Sequence, residues 1–164
     1  MSKRRTSTAA NETFELLRID NQLCFALYAA TRSITRVYRE KLDPLGLTYP
    51  QFLVLLVLWE SDDLSVSEIG HRLMLDSGTL TPLLKRMEAA GFVTRRRRVD
   101  DEREVNIHLT DKARELQHGA LDARKFVGCR LGMTEKEILA LRADIMGLVD
   151  QLAVNEGCFR GEDD

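Results

Sequence analysis

The chain has 164 residues, of which 44% are hydrophobic and 30% charged, a balance typical of one soluble globular domain with a substantial core. Its formal net charge of −2 excludes a general electrostatic attraction to nucleic acid. The longest apolar run, "FLVLLVLW" at 52–59, is far shorter than the ~20 residues of a transmembrane helix. Because the N-terminus also lacks a secretory signal pattern, we expect a cytoplasmic protein without membrane contact.

The first predicted element is an N-terminal helix with a linker at 19–47, preceded by a flexible polar and basic arm at 1–18. Asp20 fits a helix N-cap, and "DPLG" at 43–46 ends the helix. Between them an apolar stripe follows one broad helical face and comprises Leu23, Leu27, Ile34, Val37 and Leu42.

Two capping boxes, Thr48–Gln51 and Ser65–Glu68, begin the next two helices, a buried one to Glu60 and a short one to Leu73. "MLDS" at 74–77 predicts a turn, with Asp76 or Ser77 as the cap of a further helix that Gly91 ends. Pro82 interrupts one hydrogen bond of that helix. Its inward face is predicted to consist of Leu80, Leu83, Leu84 and Met87.

A change of period then predicts a β-hairpin. Val105, Ile107 and Leu109 alternate with polar residues, "FVTRRRR" at 92–98 is the partner strand, and "VDDERE" is the loop between them. Residues 48–110 therefore read as a winged helix-turn-helix domain. The fold class is mainly α, with a small β-hairpin as the wing and dimerisation helices at both ends.

Two C-terminal helices complete the chain at 111–156, followed by an acidic tail at 157–164. Thr110 caps a long helix to Leu131 that Gly132 closes, and a capping box at Thr134–Glu137 begins the last helix. The apolar residues of the last helix are Ile138, Leu141, Ile145, Leu148, Val149 and Leu152. A small wing domain cannot cover so much apolar surface, so we expect a homodimer.

Positive charge is concentrated at 77–98, where six basic residues face one acid, giving +5 against −7 for the rest of the chain. This cluster coincides with the second helix of the helix-turn-helix, which enters the major groove in such proteins, and with the wing. A dimer would read a pseudo-palindromic double-stranded DNA operator. The predicted DNA contacts are Ser77, Thr79, Thr81, Lys85 and Arg86 on the helix, and Arg95, Arg97, Asp101 and Arg103 on the wing. Asp101 either orients Arg103 or limits non-specific binding.

The three cysteines, Cys24, Cys129 and Cys158, are far apart and form no CxxC pair. This spacing argues against a zinc site and against a disulfide framework, and no motif for a cofactor is present. From position alone, Cys24 reads as a small hydrophobe packed beside Leu23 and Leu27. Tyr38 and Tyr49 would likewise read as half-buried structural residues.

The segment "SVSEIGHRLMLDSGTLTPLLKRMEAAGFVTRRRRVDDEREVNIHLT" resembles the winged-helix core of the MarR family of transcription regulators, including the D-x-R wing pattern at Asp101 and Arg103. "DNQLCFALY" and "LTYPQFLVLLVLWE" are similar to the organic hydroperoxide resistance regulators within that family. The resemblance covers residues 18–152. It implies a dimeric repressor that leaves its operator when an organic peroxide oxidises a cysteine.

By this resemblance, Cys24 is the reactive thiol, Tyr38 and Tyr49 hydrogen-bond it, and Cys129 of the other subunit is the resolving cysteine of the two-cysteine branch. Cys158 has no counterpart in the pattern. A predicted helix N-terminus near Cys24 stabilises a thiolate, whereas Asp20 opposes it. Cys129 lies near the C-terminal end of a predicted helix, where the helix dipole disfavours a thiolate. The nearby Lys125 and Arg130 favour the thiolate and so act against the dipole.

Three other interpretations stay open from the residues alone. A small aromatic ligand could be the switch instead of thiol oxidation, as in many MarR relatives. A thiol peroxidase using Cys24 is a remote alternative, because no catalytic motif is present and the three histidines are scattered, so we expect no enzyme activity. A helical scaffold without DNA binding would leave the arginine-rich wing without a role.

Overall fold

The computed structural model describes residues 14–97 and 105–154. The predicted mainly helical fold with a β-hairpin wing is confirmed. In chain order the elements are a 3-10 helix Ile19–Asn21, α1 Leu23–Leu42, a 3-10 helix Asp43–Leu45, α2 Tyr49–Glu60, β1 Leu64–Ser65, α3 Val66–Leu73, α4 Ser77–Ala89, β2 Val93–Arg97, β3 Val105–Leu109, α5 Asp111–Glu115, α6 Gln117–Leu131 and α7 Glu135–Val154. The chain divides into two compact units, 1–124 and 125–164.

The start of α1 differs from the prediction, because Asp20 is not its cap. Asp20 lies inside the 3-10 helix, and Gln22, with extended backbone, occupies the N-cap position without capping through its side chain. The side chains of Asn21 and Gln22 donate backwards instead, to the carbonyls of Glu15 and Leu16. The Gln22 amide is thus engaged with the preceding segment, and the first turn of α1 has no side-chain cap.

Most other predicted helix ends are confirmed by hydrogen bonds. Side-chain oxygens satisfy amide groups that the first turn of a helix leaves free, and a left-handed glycine does the same for carbonyls at the end of α4. The bonds are Thr48 N to Gln51 Oε1, 2.8 Å; Glu68 N to Ser65 Oγ, 3.2 Å; Thr79 N to Asp76 Oδ1, 2.9 Å; Ala113 N to Thr110 Oγ1, 3.2 Å; Thr134 N to Glu137 Oε2, 2.7 Å; and Phe92 N to Met87 O, 2.9 Å, across Gly91 with φ 74°.

The core of the first unit surrounds α2, which the apolar run at 52–59 predicted to be buried. Phe52, Val54, Leu55 and Leu58 are almost fully enclosed, and the Trp59 indole N–H donates to Ala113 O at 3.1 Å, which ties α2 to α5. No single helix within the described ranges is long and apolar enough to cross a membrane. Residues 23–45 and α2 reach the required length and apolar composition only when they are taken together, and the chain bends by 75° between them.

The sheet has the order β1–β3–β2 and is antiparallel throughout. The predicted hairpin pairs Val93 with Leu109 and Arg95 with Ile107. The additional strand β1, which pairs Leu64 with Ile107, was not predicted, because two residues are too few to show an alternating pattern.

The C-terminal helices also differ in part from the prediction. The helix capped by Thr110 is divided at Leu116 into α5 and α6, and Gly132 then ends α6 with φ 64°, as predicted. In α7 no residue is buried. Several of its large apolar side chains are exposed in the single chain, namely Leu139, Leu141, Ile145, Leu152 and Val154, and the others are half-buried.

Candidate DNA interface and thiol site

The turn between α3 and α4 depends on a close backbone approach. Leu75 N–H donates to Gly70 O at 2.9 Å, and a Cβ on Gly70 would lie 2.8 Å from Leu75 O. Met74 closes the turn in the left-handed conformation, with φ 55°. A side chain at Gly70 would therefore push this turn outward, so glycine fixes the direction in which α4 leaves α3.

The two faces of α4 have the predicted orientation. The inward residues are buried, with Leu80 and Met87 at 0% exposure, and Pro82 is accommodated inside the helix on its exposed side. Of the predicted DNA contacts on this helix, Thr81 is half-buried and the others are exposed, namely Ser77, Thr79, Lys85 and Arg86. One helix face is thus fixed by the core, which leaves the opposite face free for a partner.

Asp76 shapes the N-terminal end of this exposed face. Its carboxylate accepts bonds from the Thr79 amide and the Thr79 hydroxyl, both at 2.9 Å. The bond from the Thr79 amide, followed by that from its hydroxyl, lowers the pKa of Asp76 below its ordinary value. Because the Thr79 hydroxyl already donates to Asp76, Thr79 offers only its oxygen lone pairs to a further partner.

The wing separates its arginines between two faces. Arg95 is cross-strand from the buried Ile107, its backbone amide donates to Glu88 at 3.2 Å, and its guanidinium lies 3.9 Å from the Glu88 carboxylate. Arg96, on the opposite face, is exposed. Arg97 pairs with Val105 through its backbone. The predicted contacts Asp101 and Arg103 lie outside the described residues.

Asp62 joins the wing to the helices around it, a role that the sequence analysis missed. Its carboxylate accepts from Leu109 N at 2.9 Å, from Asp63 N at 3.0 Å and from the Arg114 guanidinium. Burial would raise the pKa of Asp62, but these hydrogen bonds outweigh burial and lower it. Leu109 and Arg114 are distant from Asp62 in sequence, and only the "SDD" turn pattern after α2 could have indicated a hydrogen-bonding aspartate here.

Cys24 is the second residue of α1 and is exposed, with a free thiol. It therefore lies beside the first-turn amides, which point toward the helix start without a side-chain acceptor. One turn later Tyr28 is exposed, and its hydroxyl accepts from Arg32 at 2.9 Å. The packing of Cys24 as a buried hydrophobe, one of the open alternatives, is wrong for the chain as described.

Tyr38 and Tyr49 meet at the other end of α1. Their ring centroids are 5.1 Å apart, and Phe52 completes the aromatic cluster at 5.5 Å from Tyr38. Burial raises the pKa of both phenols, and the neighbouring Tyr49 raises that of Tyr38 further against the opposing effect of Arg124. Both are thus protonated donors at neutral pH. Within the part of the chain that the structure describes, neither hydroxyl has a hydrogen-bond partner.

Cys129 belongs to the second unit, third from the end of α6, and its thiol is also exposed and free. Its carbonyl accepts from Gly132 N at 3.2 Å, which closes the helix end. Cys158 lies outside the described residues.

The known proteins similar to this chain are transcription regulators. The family model of the transcriptional regulator SarA/Rot matches residues 36–119. The HTH-type transcriptional regulator TtmR of Methylorubrum extorquens (strain PA1) is 54% identical over 140 residues, which are 85% of this chain and 71% of TtmR. The organic hydroperoxide resistance transcriptional regulator of Bacillus subtilis (strain 168) is 44% identical over 142 residues, 85% of this chain and 95% of the relative.

Solved structures give the same result. Reduced AbfR bound to DNA has a TM-score of 0.71 and 37% identity, covering 87% of this chain and 99% of that one. AbfR, a protein of Staphylococcus epidermidis, is also known in a disulfide form, with a TM-score of 0.60. The fold, the helix-turn-helix geometry and these relatives agree. The chain belongs to the MarR-type family of winged-helix transcriptional regulators, together with the organic hydroperoxide resistance regulators.

Proposed function

We propose that this transcriptional regulator is a homodimeric repressor that releases its operator when an organic hydroperoxide oxidises Cys24. The Bacillus subtilis relative, which is 44% identical, is an organic hydroperoxide resistance regulator, and this supports an organic hydroperoxide as the inducer. AbfR supports redox control, because its structures include a reduced form bound to DNA and a form with a disulfide. A repressor acts where its operator is, so we place the protein in the cytoplasm.

The DNA-binding part of the proposal rests on α4 and the wing. The exposed face of α4 enters the major groove, where Ser77 and Thr79 meet base edges and Lys85 and Arg86 reach phosphates or guanine. On the wing, the exposed Arg96 follows the DNA backbone. Arg95 is the weakest of the predicted contacts, because Glu88 and the sheet hold it against the protein.

The observation that carries the proposal is the placement of Cys24 and Tyr38 on one uninterrupted helix. Fourteen residues at ~1.5 Å each put them about 21 Å apart along the axis of α1. The phenols of Tyr38 and Tyr49 therefore cannot reach the thiol of their own chain. Two protonated phenols without a partner at one end of α1, and an exposed thiol at the other, are the two halves of a site that a second copy completes.

Exposed apolar surface supports such a second copy. Leu23 and Phe25 flank Cys24 in the first turn of α1, and both are exposed. Along α7 the predicted apolar stripe is covered only in part, since Leu141, Ile145 and Leu152 are exposed while its other members are half-buried. A symmetric dimer would bury both surfaces and bring each thiol to the tyrosines of the other subunit.

In the proposed reaction the Cys24 thiolate attacks the distal oxygen of the hydroperoxide, so that an S–O bond forms as the O–O bond breaks. The sulfur is oxidised by two electrons, and the alkoxide leaves and takes up a proton to become an alcohol. The sulfenic acid then condenses with the thiol of Cys129 of the partner subunit, giving a disulfide and water. A disulfide needs Cα atoms within ~7 Å, so helices at the interface must move if the two cysteines start further apart than that.

Such a movement would change the spacing of two α4 helices, which must match half-sites about one helical turn apart. A DNA-shift assay on reduced and cumene hydroperoxide-treated protein tests the proposal, with Cys24→Ser alongside. We expect treated wild type to lose the shift and Cys24→Ser to keep it. If Cys24→Ser still responds, thiol sensing is excluded and a ligand switch is favoured. An intersubunit band on a non-reducing gel, lost in Cys129→Ser, tests the resolving cysteine.

A further inference from the structure

A row of arginines lies on one face of α1. Arg32, Arg36 and Arg39 are spaced by four and three residues, which places them on one stripe of the helix. The stripe borders a groove of about 480 Å³ that also includes Phe25, Tyr28 and Thr35. A second groove, of about 320 Å³, continues past Thr35 and Arg39 to Tyr49 and Pro50. Of the three arginines, only Arg39 borders both grooves.

Arg39 also differs from the other two in its contacts. Arg32 is engaged with Tyr28, through a hydrogen bond of 2.9 Å and a ring contact of 5.5 Å. Arg36 borders only the first groove, away from Tyr49. Arg39 is exposed and forms no ion pair within residues 14–97 and 105–154. Its guanidinium therefore brings a positive charge to the groove that holds the Tyr49 phenol, which the Asp43 carboxylate also lines without forming an ion pair with Arg39.

We propose that Arg39 is a catalytic residue of the peroxide reaction, whose guanidinium binds the hydroperoxide and stabilises the negative charge on the oxygen that leaves. This inference rests on the proposed function, in which the partner's Cys24 approaches Tyr49 and so enters the groove beside Arg39. It goes beyond that function, because it names the group that acts on the peroxide rather than on the thiol.

The chemistry of the step is accelerated by such a group. When the thiolate attacks the distal oxygen, the electron pair of the O–O bond moves to the proximal oxygen, which leaves as an alkoxide. An alkoxide is a strong base and a poor leaving group. A guanidinium stays charged at any physiological pH and offers several N–H donors, so it lowers the barrier by pairing with this charge as it develops.

The test is the rate of loss of the Cys24 thiol in the full-length protein, followed by mass spectrometry of the Cys24 peptide. Two oxidants separate the roles of Arg39. Cumene hydroperoxide expels an alkoxide, whereas peracetic acid expels a carboxylate, which is stable in water without help. We expect Arg39→Met to slow the first reaction by about 10- to 100-fold and the second by less than about threefold, since one preorganised donor contributes up to ~10³ in closed sites and this groove is open.

Three controls make the assignment specific. Arg39→Lys should recover part of the rate, and Arg36→Met, the matched change one turn earlier on the same stripe, should react like the wild type. Iodoacetamide alkylates the same thiol without expelling an oxygen, so Arg39→Met should not slow it. The ratio of the two oxidation rates is taken on one sample and does not depend on the folded fraction.

Equal slowing with both oxidants, or with iodoacetamide, would overturn the inference, because Arg39 would then act on the thiol or on the fold. If Arg36→Met slows the reaction with cumene hydroperoxide as much as Arg39→Met does, the inference is also overturned, because the effect would then come from positive charge along α1 and not from Arg39 itself. If the wild-type Cys24 survives cumene hydroperoxide, the proposed function fails, and the inference fails with it.

Discussion

The proposed DNA-binding face of the molecule is formed within one chain, whereas the proposed thiol sensor needs two. The inner residues of α4 are buried, and the helix is capped by its own Asp76 and ended by its own Gly91. At the start of α1, by contrast, Cys24 follows an uncapped turn among exposed apolar side chains. One copy is therefore sufficient to shape the element that reads DNA, but two copies are required for the proposed sensor.

This difference suggests how a regulator of this family joins two functions. A reading helix must keep the same shape whatever the redox state, so it gains from being enclosed in the core of one chain. A sensor must change the relation between two chains, so it gains from lying where they meet. Variants on α4 and variants at the proposed dimer interface can test this difference.

The largest expected effect on the thiol reaction comes from mixing two impaired variants. Cys24→Ser lacks the thiol, and Tyr38→Phe/Tyr49→Phe lacks both phenols. In a heterodimer of the two, a site built from both chains is whole on one side, because the remaining thiol faces the intact tyrosines of the Cys24→Ser chain. We expect the heterodimer to oxidise at about the wild-type rate per intact site, whereas the double tyrosine homodimer is about tenfold slower or more, as expected for lost charge-stabilising donors.

The measurement is the rate of Cys24 sulfenic acid formation in tagged, co-purified heterodimers. A heterodimer as slow as the double tyrosine homodimer would place the thiol and the phenols in the same chain. That result would contradict the distance of about 21 Å that α1 sets along its axis.

A pair of leucines tests the contrast in packing. Leu84, 1% exposed on α4, is expected to lose about 2–5 kcal/mol of unfolding free energy as Leu84→Ala, because truncation leaves a cavity. Leu141, 49% exposed on α7, loses no core contact in its own chain as Leu141→Ala. Denaturation at two protein concentrations should therefore show a fixed loss for Leu84→Ala and a concentration-dependent loss for Leu141→Ala. A fixed loss for both would mean that α7 is not a dimer surface.

The exposed face of α4 gives a smaller effect on DNA affinity. Arg86→Ala is expected to weaken operator binding by about 1–3 kcal/mol if the guanidinium meets a guanine, and by a similar amount on all sequences if it meets a phosphate. Fluorescence anisotropy at several salt concentrations distinguishes the two, since a lost phosphate contact reduces the salt slope by about one. Lys136→Ala, an exposed change on α7, is the control and should leave affinity unchanged.

The smallest expected effect is at Asp62. Asp62→Asn replaces a carboxylate that holds Leu109 N–H and Arg114, and is expected to lower the unfolding free energy by about 1–2 kcal/mol at neutral pH. The lowered pKa of Asp62 means that its stabilisation is present above the ordinary aspartate range and is lost as pH falls through the lowered value. The difference between wild type and Asp62→Asn should therefore shrink below about pH 4.

Thermal unfolding from pH 7 to pH 3 provides this measurement, with Glu115→Gln as an exposed control on α5. If the difference stays constant over that range, the carboxylate charge is not what Asp62 contributes, and hydrogen-bond geometry alone accounts for its effect.

The fold was largely predictable from sequence because its boundaries are local. The capping boxes at Thr48 and Ser65, the glycine after α4 and the alternation in β3 each depend on residues within a few positions. The sequence mispredicted the start of α1, where Asp20 resembles a cap, and missed β1, which is too short to show a pattern. Asp20 instead lies inside the 3-10 helix Ile19–Asn21, and α1 begins only at Leu23.

The candidate sites were predictable only in part. Helical periodicity alone predicts which face of α4 is free. It cannot predict that Asp62 meets Leu109 and Arg114, or that Arg95 is held by Glu88, since these contacts join different elements. The pairing of Tyr38 with Tyr49 is of the same kind, because the bend between α1 and α2 brings them together. The resemblance to a family indicated the tyrosines, and the length of α1 separates Tyr38 from Cys24 of the same chain.

Since α1 carries the Cys24 thiol at one end and the Tyr38 phenol near the other, each copy of this helix would serve two sensors at once in the proposed dimer. If forming a disulfide at one sensor displaces helix α1, it also displaces the Tyr38 phenol that this helix supplies to the other sensor. We therefore expect the first oxidation to handicap the second, so that half-oxidised dimers accumulate. A repressor with this property would dissociate from its promoter after one of the two Cys24 thiols in a dimer is oxidised, and the second thiol would stay reduced.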